Sequence, residues 1–263
     1  MSRPSDYMGK VRAKRPLVQC MTNYVTVNDC ANACLCCGGT PVMTDAAEDV
    51  AEMVSIASAL VLNIGTLNSR TVDSMEAAGR AANKAGIPVL LDPVGVGATR
   101  YRTETAFRLL ERVDIAVIKG NHGEIGVLSG NGGQVRGVDS MGSKDPKSAA
   151  EKLASEFGCA VASTGEVDYV FRGGSGVELR NGHPLLGTVS GTGCMLSAVA
   201  GAYIGACGVS LESLSASLLV FSISSEYAAT KCEGPGTFKP AFLDAIYNLD
   251  AERLDTRVQI RNL

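Results

Sequence analysis

The chain has 263 residues, of which 46% are hydrophobic and 19% are charged, so it can bury the core of one large α/β domain. Its formal net charge is −3 and it has no long basic run, which argues against nucleic acid as a partner. No apolar stretch reaches the roughly twenty residues of a membrane span, and Met1–Lys10 has no apolar signal core, so we expect a cytoplasmic protein without membrane contacts.

The first half of the chain alternates short apolar runs with helical patterns. The basic segment Lys10–Arg15 is interpreted as a solvated N-terminal arm. The pattern then predicts a strand at 15–20, helices at 27–37 and 49–59, a strand at 60–64, a helix at 69–85, a strand at 89–91, a helix at 103–111 and a strand at 115–118.

The same alternation continues in the second half. It predicts a helix at 145–157, a strand at 159–163, a hairpin at 169–171 and 176–180, and helices at 192–206, 211–230 and 238–247. Strands that are apolar throughout and separated by helices indicate a mostly parallel sheet covered on both faces. The hairpin indicates an antiparallel addition at one edge. No linker or repeat interrupts the pattern, so residues 1–263 are predicted to form a single α/β domain.

Nine cysteines are an odd number, which argues against a complete disulfide framework. Four of them cluster at Cys30, Cys34, Cys36 and Cys37, and two of these satisfy C-x-x-C. A second C-x-x-C pair is missing, and both histidines are distant in sequence. We therefore interpret the cluster as buried thiols on a small-residue helix, with a metal or redox site as the less favoured alternative.

Polar and glycine-rich segments follow the predicted strands. They lie at residues 21–23, 43–45, 63–66, 92–95, 119–121 and 163–166. Ligands of open α/β sheets bind beyond the carboxyl ends of the parallel strands. Six such segments at one edge of a sheet therefore predict a binding site there.

The segment Ser190–Cys194 reads Ser-Gly-Thr-Gly-Cys and precedes an alanine-rich helix. Glycines let backbone N–H groups converge, and a helix start adds partial positive charge, so the segment is favoured as an anion cradle over an ordinary helix cap. The chain has no G-x-x-x-x-G-K-[ST], no G-x-G-x-x-G after its first strand and no H-E-x-x-H. A P-loop, a dinucleotide-binding Rossmann motif and that zinc motif are thus disfavoured.

A set of motifs from about residue 15 to about residue 250 resembles the hydroxyethylthiazole kinase family. They are Met21-Thr-Asn23, Pro41-Val-Met43, Asp92-Pro-Val-Gly-Val-Gly-Ala98, Gly120-Asn121 with Glu124-Ile125, Thr164-Gly-Glu166 and Gly191-Thr-Gly-Cys194. The resemblance implies a ribokinase-like three-layer fold and transfer of the ATP γ-phosphate to the primary hydroxyl of 4-methyl-5-(2-hydroxyethyl)thiazole in thiamine biosynthesis or salvage. It also implies Mg²⁺ and a homotrimer with active sites between subunits.

The resemblance also implies roles for individual residues. It assigns the thiazole alcohol to Asn23, Met43 and Gly191, ATP to Lys119, Thr164 and Gly193, and Mg²⁺ to Asp92 and Glu124. Cys194 occupies the position where the wider superfamily has an aspartate base, and we hypothesise that its thiol positions the hydroxyl and assists weakly. Lys119 departs from the expected arginine and so lacks the bidentate guanidinium fork.

Three alternatives stay open at this point. A related kinase for a pyrimidine or pyridoxal alcohol is disfavoured because such enzymes generally carry aspartate at the Cys194 position. An ATP-dependent dehydratase acting on hydrated nicotinamide nucleotides is disfavoured by the Met21-Thr-Asn and Pro41-Val-Met motifs. A non-catalytic thiazole or nucleotide sensor is disfavoured by the intact set of charged strand-end residues.

Overall fold

Strands and helices alternate along most of the chain. A computed structural model describes residues 3–130, 134–136, 139–141 and 145–263. The strands are β1 (Leu17–Met21), β2 (Thr40–Val42), β3 (Ala59–Asn63), β4 (Val89–Asp92), β5 (Val117–Asn121), β6 (Gln134–Arg136), β7 (Asp139–Met141), β8 (Ala160–Thr164), β9 (Asp168–Arg172), β10 (Ser175–Leu179) and β11 (Ile260–Asn262). The helices are α1 (Pro4–Lys14), α2 (Val27–Cys37), α3 (Val50–Ser55), α4 (Ser69–Ala85), α5 (Arg100–Arg112), α6 (His122–Leu128), α7 (Pro146–Phe157), α8 (Thr192–Cys207), α9 (Leu211–Ala229), α10 (Pro235–Asn248) and α11 (Ala251–Asp255), with a 3₁₀ turn at Pro184–Thr188.

Nine of these strands form the central sheet, in the order β11-β10-β9-β8-β5-β4-β3-β1-β2. The strands from β8 to β2 in that order run parallel to their neighbours. Strands β9, β10 and β11 add antiparallel at the other edge, while β6 and β7 form a separate pair. The predicted parallel sheet with an antiparallel hairpin at one edge is confirmed.

Helices cover both faces of the sheet and give three layers. Along β3, Ala59 and Val61 point into a core shared with α1, α2, α8, α9 and α10. Leu60 and Leu62 point into a second core shared with α3 to α7. Side chains alternate between the two faces of a strand, so a strand buried on both sides must be apolar throughout. Each buried Val or Leu contributes about 1.5–3 kcal/mol of hydrophobic free energy.

Helix α8 runs antiparallel to the central parallel strands and sets the position of the site. A Cβ at Gly201 would lie 2.7 Å from a methyl of Val61 and 2.9 Å from one of Val18, so only glycine lets the helix pack this closely on the sheet. The first turn of α8 therefore lies at the carboxyl ends of the strands. No helix in the described part of the chain is long and apolar enough to cross a membrane.

Two parts of the sequence interpretation are wrong. The N-terminal segment is helix α1, in which Met8 and Val11 are buried and the Arg12 guanidinium donates to the carbonyls of Ile246 and Tyr247, so it is not a solvated arm. Its narrow apolar stripe is hidden among charged residues. The helix predicted at 49–59 ends at Ser55, because the following residues feed strand β3.

The cysteine cluster lies on helix α2, which packs against α8. Cys30, Cys34 and Cys37 are buried in the core, and Cys36 is half-buried. All nine cysteines lie in the described part of the chain, and all are free thiols. The prediction of buried thiols thus holds for three of the four, and the fourth packs against the core from its edge.

Candidate active site

Four parallel strands bring polar side chains together at their carboxyl ends, and this end of the sheet is called the sheet edge from here on. Asn23 follows β1, Asn63 ends β3, Asp92 ends β4 and Lys119 lies in β5. All four side chains are buried. A buried polar group is costly unless it is hydrogen-bonded, so such a group of side chains needs a connected network.

The first turn of α8 supplies backbone donors at this edge. Its first helical hydrogen bond runs from the Met195 amide to the Gly191 carbonyl at 2.8 Å, so the amides of residues 192–194 have no acceptor within their own helix. Gly191 has a φ of 86°, and a Cβ there would lie 2.1 Å from the Cγ2 of Thr26. Only glycine suits this turn, and the exposed Gly193 leaves the cradle open to a ligand.

A hydrogen-bond chain joins the Cys194 thiol to Asp92. The Asn23 Nδ2 donates to the Cys194 Sγ at 3.2 Å and to the Asn63 Oδ1 at 3.1 Å. The Asn63 Nδ2 in turn donates to the Asp92 Oδ2 at 2.9 Å. The Asn23 Oδ1 accepts from the backbone amide and hydroxyl of Thr26, which fixes the amide orientation. The two asparagines therefore hold the thiol and the carboxylate in one rigid arrangement.

Asp92 and Lys119 form a buried ion pair below the cradle. The Lys119 Nζ lies 3.5 Å from the Asp92 Oδ2 and donates to the Gly193 carbonyl at 2.9 Å. The Ser197 hydroxyl, one turn into α8, donates to the same Asp92 oxygen at 2.6 Å. Burial lowers the pKa of Lys119, but the neighbouring acidic groups, of which the Asp92 carboxylate is the strongest, together outweigh it, so the pKa lies above its usual value and the ammonium stays charged.

Glu124 lies beside this pair on helix α6. Its Oε1 accepts from the Gly95 amide and its Oε2 from the Asn121 amide, both at 2.8 Å. Burial and the nearby Asp92 carboxylate raise the pKa of Glu124 to about 7. The sequence Asn121-His-Gly-Glu124 forms a capping box, which explains why this short helix begins here.

The Cys194 side chain is a neutral thiol. Burial and then the Asp92 carboxylate raise the pKa of Cys194, which outweighs the opposing effects of Lys119 and the two asparagines. A helix N-terminus often lowers the pKa of a cysteine, but here the negative carboxylate and desolvation dominate. The thiol therefore suits positioning of a substrate better than proton abstraction.

A cavity of about 300 Å³ adjoins this network. Its lining is rich in sulfur, from Cys20, Met21, Met43 and Met75. Asn63 belongs both to the cavity wall and to the hydrogen-bond chain between Cys194 and Asp92, so the cavity and the chain share one side chain. Flexible, polarisable thioethers make favourable contacts with aromatic rings, so the cavity suits a small heteroaromatic molecule.

Thr164 lies at the end of β8, opposite Asn121 of β5. Its hydroxyl donates to the Gly120 carbonyl at 3.3 Å. The loop that follows is anchored by Asp168, whose Oδ1 accepts from the Gly165 amide at 3.0 Å. Burial raises the pKa of Asp168 to about 7. This loop therefore starts at the same end of the sheet as the segment after β5.

The site residues singled out in the sequence thus lie at one edge of the sheet. Cys194, Asn23, Asp92, Lys119 and Gly193 share one network. Met43 lines the adjoining cavity, Glu124 lies near Asp92, and Gly191 caps the start of α8. Thr164 lies at the end of β8, beside the end of β5.

Sequence reasoning missed two contributors to the network. Asn63 was visible only as one member of a strand-end segment, and it proves to be the link between Asn23 and Asp92. Ser197 was signalled only by its place one turn after Gly193 in an otherwise apolar helix.

The residues at this edge fit a magnesium ion shared with a nucleotide. The Asp92 Oδ1 is buried and has no hydrogen-bond partner among the residues that the structure describes, so one carboxylate oxygen is available. Among the described residues, no group of three or more His, Cys, Asp or Glu side chains is arranged to hold a metal. Mg²⁺ commonly uses one or two carboxylates together with phosphates and water, so Asp92, with Glu124 beside it, is a sufficient donor set.

The chain is similar to known proteins over nearly its whole length. The sequence model of the hydroxyethylthiazole kinase family matches residues 8–252. A hydroxyethylthiazole kinase of Methanocella arvoryzae is 52% identical over 258 residues, covering 98% of this chain and 97% of that protein. The structure of a hydroxyethylthiazole kinase protein from Pyrococcus horikoshii OT3 is 39% identical, with a TM-score of 0.92 over 99% of this chain and 98% of that chain.

A more distant structure identifies the fold class. A ribokinase-like superfamily protein from Enterococcus faecalis V583 is 13% identical, with a TM-score of 0.67 over 95% of this chain and 92% of that chain. The predicted ribokinase-like three-layer fold is therefore confirmed. With the family match spanning nearly the whole sequence, the chain belongs to the hydroxyethylthiazole kinase family.

Proposed function

We propose that this chain phosphorylates the primary hydroxyl of 4-methyl-5-(2-hydroxyethyl)thiazole with ATP at the sheet edge formed by β1, β3, β4, β5 and the start of α8. Family membership makes the chain a kinase of the thiazole branch of thiamine biosynthesis, with ATP as co-substrate. One observation supports this location above others. Asn63 lines the small cavity and also belongs to the hydrogen-bond chain that runs from the Cys194 thiol through Asn23 to the Asp92 carboxylate, next to the backbone cradle.

The thiazole alcohol is proposed to bind in the sulfur-lined cavity. Met43 contacts the ring, and Asn23 and Gly191 border the hydroxyethyl side chain, which points toward Cys194. Because the thiol is neutral, Cys194 orients the hydroxyl by a hydrogen bond. The alcohol proton is lost late in a loose transition state, so this step does not need a strong base. Alignment of the hydroxyl with the phosphoryl group is then the main contribution of this half of the site.

The ATP phosphates are proposed to bind at the start of α8. The amides of residues 192–194 and the helix dipole stabilise the negative charge that the terminal phosphate carries. Lys119 keeps its positive charge beneath this turn and adds to the same field, and Thr164 borders the nucleotide on the β8 side. Lys119 already donates to the Gly193 carbonyl, so it also holds the cradle in shape.

The carboxylates of Asp92 and Glu124 are proposed to hold Mg²⁺. When bound, Mg²⁺ neutralises charge on the transferred phosphate. Asp92 offers its unpartnered Oδ1. Glu124 is held by two backbone amides and would orient a water molecule of the bound ion.

The chain is further proposed to assemble as a cytoplasmic homotrimer with active sites between subunits. Tyr24 lines the cavity and is 79% exposed, and the neighbouring Val25 is 61% exposed. Covering these side chains with a second subunit would close the cavity. The nine free thiols fit a reducing compartment. Light scattering tests the assembly, which is expected to have three times the 27.3 kDa mass of one chain, and a monomer at working concentrations would contradict it.

A substrate panel tests the proposed reaction. ATP consumption is measured with the hydroxyethyl-thiazole, a hydroxymethyl-pyrimidine and pyridoxal, each with and without Mg²⁺. We expect turnover with the thiazole alone, and only with Mg²⁺ present. Preferred turnover of the pyrimidine or pyridoxal would overturn the substrate assignment. Thiazole binding without any ATP consumption would favour a sensor.

A further inference from the structure

Arg102 joins two loops that border the site. It lies in the first turn of α5, and its side chain is half-buried. The guanidinium Nη1 donates to the carbonyls of Ile64 and Val94, both at 2.9 Å. Its Nη2 donates to the Gly65 carbonyl at 2.8 Å. One side chain therefore binds the backbone after β3 and the backbone after β4.

These carbonyls need a partner because the two strands separate there. The register of β3 and β4 ends at the pair Asn63 and Asp92, and the Ile64 amide makes a last, longer bond of 3.3 Å to the Asp92 carbonyl. Beyond that point the sheet ladder supplies no further donors between the two segments. The planar guanidinium, with its fixed fork of N–H groups, takes over the pairing across the gap.

Both loops orient side chains of the proposed site. The Gly65 amide donates to the Asn63 Oδ1 at 2.9 Å, and a Cβ on Gly65 would lie 2.9 Å from the Asn23 side chain. The Gly95 amide donates to the Glu124 Oε1 at 2.8 Å. The loop after β3 thus supports the alcohol side of the site, and the loop after β4 supports the carboxylate side.

We propose that Arg102 is a positioning residue that fixes the alcohol pocket relative to the Asp92 and Glu124 carboxylates. It touches neither substrate and acts through the backbone at residues 64–65 and 94–95. This inference rests on the proposed function. Arg108, on the same helix, provides a matched control, because it pairs with Asp73 and Glu76 on α4 instead of with the strand-end loops.

The test compares the full-length wild type with Arg102→Ala, Arg102→Lys and Arg108→Ala. For each protein we measure urea unfolding, steady-state kcat and KM, calorimetric binding of the thiazole alcohol without metal or nucleotide, and amide hydrogen exchange. Arg102→Ala is expected to lower kcat at least about tenfold and to weaken alcohol binding about threefold or more, because alignment is lost in both halves of the site. The rate of amide hydrogen exchange at residues 64–67 and 94–97 is expected to be higher in Arg102→Ala than in the wild type.

The two other variants separate positioning from simple stabilisation. Arg108→Ala is expected to lose stability but to keep the wild-type kcat, alcohol affinity and exchange in those two loops. Arg102→Lys keeps the charge without the fork, so it is expected to recover less than about half of the lost kcat. Guanidinium ion at concentrations well below denaturing ones is expected to restore part of the Arg102→Ala turnover.

Each outcome decides the proposal. Equal kinetics and equal loop exchange in Arg102→Ala and Arg108→Ala would overturn it. If Arg102→Ala does not fold, Arg102→Lys decides instead, and wild-type kcat and loop exchange in that variant would overturn the proposal. A wild-type protein that phosphorylates no alcohol would refute the proposed function alone, because the exchange and binding data would still report whether Arg102 joins the two loops.

Discussion

Neutralising Asp92 should destabilise the fold, because Lys119 loses its partner, and should abolish turnover, because the site loses a carboxylate. The two effects can be measured separately. Asp92→Asn keeps the side-chain size and an oxygen that can accept from Asn63 and Ser197, so the main loss is the negative charge. Lys119 is 3% exposed and would be left with a charged ammonium whose nearest counter-ion has gone.

The structure sets the size of the effect. Removing one partner of a buried ion pair costs roughly 3–5 kcal/mol. The Lys119 Nζ is 3.5 Å from Asp92 and keeps its bond to the Gly193 carbonyl, so we expect the lower end, about 3 kcal/mol. With a urea m-value of about 3 kcal/mol/M, the unfolding midpoint should fall by about 1 M.

A second substitution separates the two routes. Asp92→Asn with Lys119→Met removes both charges and is expected to regain most of the lost stability, while turnover stays at least about a hundredfold low. Asp73→Asn is the control, because its ion pair with Arg108 is largely exposed and should cost under about 1 kcal/mol. Urea unfolding and ATP consumption measure both effects. An Asp92→Asn protein as stable as Asp73→Asn would refute the buried-pair reasoning.

Three further predictions concern the cradle and its surroundings. Cys194→Asp should keep or raise turnover, and a folded but inactive variant would contradict the positioning role of the thiol. Gly191→Ala should lower kcat at least about tenfold, because its Cβ would overlap the Thr26 side chain. Gly173→Ala is the control: Gly173 also has a positive φ but lies in open space, so this variant should keep its kcat and lose only about 1 kcal/mol of stability. Equal kcat values in the two variants would contradict this reasoning. The pKa of Asp168 rises from 3.8 in the unfolded chain to about 7 in the folded protein. Its contribution to the free energy of unfolding is therefore fully present below about pH 4, and up to about 4 kcal/mol of it is lost as pH rises through 7. Asp168→Asn should therefore gain stability over the wild type between pH 5 and pH 8 in urea unfolding, and a constant difference would contradict the shift.

Much of the fold was predictable because its signals are local. Helix α4 runs from Ser69 to Ala85, with Asn68 capping its start and Gly86 its end. A proline follows two residues after Gly86, so both bounds have local signals in the sequence. The central strands are apolar on both faces and therefore stand out from the helices. Helix α1 and strand β11 were missed because their partners, α9 and β10, are more than 80 residues away in sequence.

The end of the sheet at which the candidate residues converge could be predicted, but the contacts between those residues could not. Strand ends and a glycine-rich helix start have sequence signatures, so Asp92, Lys119 and Cys194 could be singled out. The roles of Asn63 and Ser197 depend on contacts between β3, β4 and α8, which no local pattern specifies. The raised pKa of Cys194 could not be read from its helix-start position either, because it depends on burial and on the Asp92 charge.

The most direct test is a crystal structure with the thiazole alcohol, Mg²⁺ and a non-hydrolysable ATP analogue. We expect the terminal phosphate within hydrogen-bond distance of the amides of residues 192–194, and the alcohol in the sulfur-lined cavity with its hydroxyl facing both Cys194 and that phosphate. A nucleotide bound away from the start of α8, or an alcohol bound outside the cavity that Met43 lines, would contradict the proposed site.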